Sequence, residues 1–185
     1  GAAGAHGRCR WGLALSDRVQ LRRGLPQGHQ CHARHPRGDP GHRGPPGVTR
    51  LLIHTDGAAR GNPGPAGAGA LLQDAETKET VAEIAEFLGV RTNNFAEWTA
   101  VELALQEAGR LGADAVDLRT DSELVARQIA GRYRVKHPVL KPIHARVMAM
   151  LGELSAYTVG HVPRERNVEA DRLSNVAIDG PGGSV

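Results

Sequence analysis

The spacing of apolar and polar positions divides the chain near residue 48, with clear periods after that point and none sustained before it. From Arg50 to Thr55 a short apolar run reads as a buried strand ending at Asp56, and the Gly- and Pro-rich stretch GAARGNPGPAGAG reads as a turn cluster. Two more strands, roughly Gly67 to Gln73 and Glu79 to Leu88, follow with connections short enough for antiparallel neighbours. Asn93 and Asn94 offer an N-cap to a helix running to about Leu111, and Gly112 stops it. Its apolar stripe is Trp98, Val101, Ala104, Leu105 and Ala108. AVDLRTD then reads as a strand ending at Asp121, and SELVARQIAG as a short helix closed by Gly131. The two prolines of GRYRVKHPVLKP mark irregular chain before a helix from about Ile143 to Leu154, the strand AYTVGHV and a last helix through NVEADRLSNVAI.

The order β β β α β α α β α predicts an α/β fold: a mixed five-stranded sheet, part antiparallel meander and part parallel crossover, with helices on both faces. The domain is expected to span residues 48–180, with a flexible C-terminus at 181–185. Residues 1–47 are rich in Gly, Pro, Arg and His and could not bury a core, so they are expected to be disordered. Two readings of that segment stand side by side. It is non-native upstream sequence ahead of a natural start at Val48, or it is a basic arm that adds affinity for phosphates.

Charge changes this picture in one respect. The formal net charge of +3 comes from residues 1–50, with nine Arg and two Asp, whereas the remainder holds fourteen Lys plus Arg against eighteen Asp plus Glu. The positive excess is therefore no electrostatic footprint of the folded part. Cys9 and Cys31 also lie in the first segment, leaving the rest without disulfides or thiolate metal ligands and suited to a reducing cytoplasm. The longest early apolar run, Trp11 to Leu15, is too short for a signal peptide or a membrane span, so a soluble cytoplasmic protein without membrane association is expected.

Four acids carry the candidate chemistry. Asp56 and Asp121 each stand at the carboxyl end of a predicted strand, beside the crevice where open α/β sheets bind ligands; the alternative for Asp56 is a turn-capping role. Glu97 precedes Ala100, Val101, Ala104 and Leu105 on one helical face, so it shares the apolar stripe and needs a cation or a proton there, unless it is simply a first-turn acid favoured by the helix dipole. Asp171 on the last helix gains weight only from the set, since helix Asp residues usually face solvent. Several carboxylates converging on one crevice repel one another unless divalent ions neutralise them, and hard oxygen ligands suit magnesium or manganese.

The segments IHTDGAARGNPGPAGAG, TNNFAEWTA, RTDSELV and NVEADRL together resemble, in order, the four signature segments of type 1 ribonuclease H. The resemblance implies the ribonuclease H-like fold and hydrolysis of the RNA strand of RNA–DNA hybrids, with 3′-hydroxyl and 5′-phosphate products. It makes Asp56, Glu97, Asp121 and Asp171 the catalytic, metal-ligating quartet for two Mg2+ ions, with Mn2+ as a substitute. It also implies substrate contacts from Gly57, Asn62, Thr92, Asn93, Asn94 and Ser122, with Arg91 beside Thr92; turn formation by Gly57 and Asn62 and capping by Asn93 are the plainer readings. His161, ten residues before Asp171, matches the family's mobile catalytic histidine, although the loop VPRERNVE departs from the usual one and leaves Arg164 or Glu165 as stand-ins. The basic, Trp-containing protrusion of many bacterial members is missing between Asp121 and Asp171, so the grip on the hybrid falls to Arg132, Arg134, Lys136 and Lys141 or to the Arg-rich first segment. A monomer without an obligate protein partner is expected. The rival to the nuclease is a hybrid-binding module that has lost catalysis.

Overall fold

The computed structural model describes residues 50–180; the expectations for 1–47 and 181–185 concern segments outside the described residues. Its central strand is β1, Arg50–Ala59, flanked by β2, Gly64–Asp74, and β4, Ala115–Thr120. With β3, Thr80–Arg91, and β5, Ala156–His161, at the edges, the order is β3-β2-β1-β4-β5. β1–β2 and β2–β3 pair antiparallel, while β1–β4 and β4–β5 pair parallel, which is the mixed sheet expected from the element order.

Alternation along β1 buries Leu51, Ile53 and Thr55 completely on one face. That face receives α1, Asn93–Arg110, together with α2, Glu123–Ile129, and α3, Leu140–Glu153. Trp98 of α1 is the largest fully buried side chain. Its Nε1 donates to Gln128 Oε1 of α2 at 3.2 Å, and its ring meets His144 of α3 edge-on at 5.3 Å, so one residue ties the three helices together. The opposite face is covered over β1 to β3 by α4, Val168–Asp179, which follows a 3-10 turn at Arg164–Arg166. On the same side Arg50 donates to both oxygens of Asp117, at 2.9 and 2.7 Å, and Thr158 donates to it at 2.6 Å, bracing β1, β4 and β5. The guanidinium of Arg50 holds the Asp117 carboxyl down to about 2. Among the described residues, no helix is long and apolar enough to cross a membrane.

β2 begins earlier than expected, at Gly64, and β3 runs on to Arg91, and three further boundaries differ from the sequence reading. β1 does not end at Asp56: Gly57, Ala58 and Ala59 pair with Ala68, Gly67 and Ala66. The run of small residues is a packing surface with helices on both sides. A Cβ on Gly57 would lie 2.1 Å from the backbone nitrogen of Glu97, and one on Gly69 would lie 2.3 Å from that of Ser174. The real turn is Arg60–Pro63, with a cis Asn62–Pro63 peptide. Thr92, not Asn93 or Asn94, caps α1, its Oγ1 accepting from the Phe95 N–H at 3.3 Å. Finally, α3 begins at Leu140, because Pro142 falls in the first turn, where its missing N–H costs nothing.

Candidate active site

Parallel pairing of β1 with β4 ends at Thr55 and Thr120, so Asp56 and Asp121 are the first residues beyond it, where the strands diverge. This is the point at which connections leave the sheet in opposite directions, and it opens a crevice. The close approach of α1 to Gly57 brings Glu97 to the same place. One carboxylate oxygen from each of Asp56, Glu97 and Asp121 lies within 4.8 Å of the others.

These acids are held unequally. Asp56 is only 5 % exposed and accepts from Ser174 Oγ, whereas Asp121 is half-buried and accepts from Asn167 Nδ2 at 3.2 Å. Asn93 reaches Glu97 Oε1 at 3.4 Å, but Glu97 Oε2 is buried without a hydrogen-bond partner among the described residues. Burial, first, and the charges of Asp121 and Asp171 push the Asp56 carboxyl up to about 6, against the opposing Ser174 hydroxyl. Burial pushes Glu97 well above the usual carboxylate range, with the charges of Asp56 and Asp121 adding to it; the Gly57 N–H and the Asn93 amide oppose. A buried acceptor facing two other acids requires a cation or a proton. Three oxygen donors with one unsatisfied fit a hard divalent cation, so the residues present suit a metal of the magnesium or manganese class.

Asp171 is near this cluster but not within it. It is half-buried on the first turn of α4 and ion-paired with Arg164, whose charge also bears on Asp56 and Asp121.

A family model described as reverse transcriptase-like matches residues 54–177, from the strand before Asp56 to the last turns of α4. The ribonuclease H of Roseobacter denitrificans is 34% identical over 147 residues, an alignment covering 71% of this chain and 97% of that protein. The chain belongs to the type 1 ribonuclease H family. The bifunctional protein Rv2228c of Mycobacterium tuberculosis is 40% identical over 130 residues, 70% of this chain but only 36% of that protein, so the chain spans about a third of its length. The solved N-terminal ribonuclease H domain of that protein superposes with a TM-score of 0.69 over 71% of this chain and 94% of the solved one. LC11-RNase H1, isolated from compost, was solved in complex with an RNA/DNA hybrid; it is 41% identical, with a TM-score of 0.65 over 70% of this chain and 96% of that one.

The other residues expected of a ribonuclease H site fall into two groups. Asn62 Oδ1 accepts from the Asn93 backbone N–H at 3.2 Å, bringing the β1–β2 turn against the start of α1, with exposed Thr92 and Asn94 alongside. Gly57 is buried under α1, and Ser122 sits at the N-cap of α2 without a side-chain capping bond, directly after Asp121. His161 is exposed at the end of β5, opposite Thr120. Arg164 and Glu165 are exposed in the 3-10 turn. Arg132, Arg134, Lys136 and Lys141 are all exposed, the first three in the helix-free link between α2 and α3 and Lys141 in the first turn of α3.

Sequence reasoning missed two buried polar residues that bond to the clustered acids. Asn167 is only 1 % exposed, and its Nδ2 donates to the Thr55 carbonyl at 2.9 Å as well as to Asp121. With the amide nitrogen committed to two acceptors, Asn167 Oδ1 must accept from His54 Nδ1 at 3.3 Å, which fixes the proton on that ring nitrogen. Ser174 is the other. It lies on the buried face of α4 beside Ala170 and Leu173, and a polar residue on that apolar stripe is the signal that already singled out Glu97.

Proposed function

We propose that the chain is a divalent-metal-dependent endonuclease that hydrolyses the RNA strand of RNA–DNA hybrids, leaving 3′-hydroxyl and 5′-phosphate ends. The observation that carries this reading is the convergence of Asp56, Glu97 and Asp121 around a buried, unpartnered Glu97 oxygen. Family membership and a relative solved with a hybrid support the substrate. Asp56, Glu97 and Asp121 would hold magnesium, with Asp171 completing a second site; manganese would substitute. When bound, two such ions supply the positive charge that activates a water and offsets the charge on the leaving 3′ oxygen.

The chain's own part is binding and orientation. β1 holds one carboxylate on a rigid strand, the end of β4 places the second directly after its last residue, and α1 holds the third in a site largely closed to solvent. Asn62, Asn93 and Asn94 offer amides to the minor-groove edge of a hybrid, where the 2′-hydroxyl separates RNA from DNA. Gly57 and Ser122 flank the catalytic acids along the RNA strand, and Thr92 with Arg91 would hold a phosphate of the DNA strand. The exposed Arg132, Arg134, Lys136 and Lys141 supply phosphate contacts that weaken with salt. Residues 48–180 form the working domain, which acts in the cytoplasm as a monomer.

A hybrid labelled on its RNA strand tests the reading. Cleavage with magnesium that EDTA abolishes is the expected result, while retention of the hybrid with its RNA intact in both conditions favours the silent binding module. A second comparison separates the candidates for the assisting residue. Arg164 reaches Asp171 and His161 does not, so Arg164→Ala is expected to lower kcat by roughly tenfold to a hundredfold and His161→Ala by less. The opposite ranking in single-turnover assays returns the role to His161.

A further inference from the structure

We infer that Ser174 is a positioning residue for the metal site, fixing the rotation of the Asp56 carboxylate through its hydroxyl. The inference rests on the metal-site reading above. Ser174 is completely buried, and its Oγ lies within hydrogen-bond distance of Asp56 Oδ2 and, at 2.9 Å, of the Asp171 carbonyl. A hydroxyl has one proton, so it can donate to only one of these at a time. The ionised carboxylate is the stronger acceptor and takes it whenever Asp56 carries its charge. Oδ2 is thereby pinned toward α4, and Oδ1 is left for the crevice shared with Glu97 and Asp121.

The backbone around Ser174 allows little play. Gly67 and Gly69 of β2 lie so close to α4 that a Cβ on either would meet the Ser174 backbone at 2.4 and 2.3 Å. The hydroxyl is therefore delivered to Asp56 by a tightly seated helix rather than by a mobile side chain. Asn167, two turns earlier at the N-cap of α4, does the equivalent for Asp121. One helix and its N-cap thus carry the outer partners of two of the three clustered acids, an arrangement that orients ligands toward a cation.

The test is a titration of Mn2+ into hybrid-free protein at pH 8, followed by the EPR signal of free Mn2+, for wild type, Ser174→Ala and Asn175→Ala. Asn175 is the control: it bonds the same Asp171 carbonyl, at 2.8 Å, but touches none of the clustered acids. Ser174→Ala is expected to bind Mn2+ about tenfold more weakly, Asn175→Ala as tightly as wild type, and Ser174→Thr to regain most of the loss by restoring the hydroxyl. Melting temperatures in EDTA verify that each variant folds. Ser174→Ala binding Mn2+ as tightly as wild type overturns the inference while leaving the nuclease reading intact. Equal losses in Ser174→Ala and Asn175→Ala also overturn it, pointing to general packing of α4. Failure of wild type to bind Mn2+ at all defeats the metal-site reading itself.

Discussion

Glu97→Gln is expected to abolish hybrid cleavage, by roughly a thousandfold, while raising the melting temperature of the metal-free protein. Glutamine keeps the shape and the Oε1 acceptor that Asn93 contacts at 3.4 Å. It puts a neutral N–H2 group in place of the orphaned Oε2 beside Asp56 and Asp121, so a buried like-charge repulsion becomes a donor among acceptors. The gain should be about 1–2 kcal/mol, or about 3–6 °C for a domain of this size. Calorimetry in EDTA with cleavage measured alongside checks both halves. A variant that still cuts removes Glu97 from the site, and one that melts lower shows that the carboxylate is satisfied in a way the geometry does not reveal. Such a trade of stability for function is common where a site holds like charges together.

The second large effect is on pH. The Asp56 carboxyl is pushed up to about 6 and Glu97 well above the usual carboxylate range, so between about pH 4 and about pH 6 the folded protein binds protons that the unfolded chain does not. The stability conferred by this protonation is complete below about pH 4 and is lost as pH rises through 6 and beyond. For Asp56 alone the change is about 2–3 kcal/mol. The metal-free protein should therefore melt lower at pH 8 than at pH 5, and divalent metal should recover most of the difference at pH 8. Asp117, held down by Arg50, acts only at more acidic pH. His54 works in the opposite sense, since burial lowers its proton affinity and favours the fold as pH rises. The difference between wild type and Asp56→Asn isolates the acid cluster, and identical pH profiles for the two would show that Asp56 carries no such strain.

Much of this was legible in the chain because two periods dominate it. The helical stripe from Trp98 to Ala108 and the alternation on either side of Ile53 predict elements that the structure contains, in the expected order. Asp56, Glu97 and Asp121 were legible from their positions at strand ends and on a helix face, and these three converge, whereas Asp171 was legible only as part of the set. What escaped the reading has a common cause. Gly57 to Ala59 and Gly64 to Ala66 are composed like a turn, yet they are strand, because small residues are what two flanking helices demand. Local composition does not reveal which side of a strand a helix will approach. Asn167 resembled an ordinary helix start, and its burial depends on Thr55 and Asp121, far away in the chain. The ion pair of Arg164 with Asp171 lies across the 3-10 turn, whose geometry no period announces.

The order in which these parts leave the ribosome follows from the same contacts. Asn167 meets Thr55 across 112 positions, and Ser174 meets Asp56 across 118. β1 to β3 can zip together from neighbouring segments early, with only one member of the acid cluster present among them. The parts that α4 supplies, the Ser174 hydroxyl and Asp171, arrive last, when this last described helix seats on β2. A nascent chain halted before that point lacks Ser174, the hydroxyl partner of Asp56, and Asp171 as well.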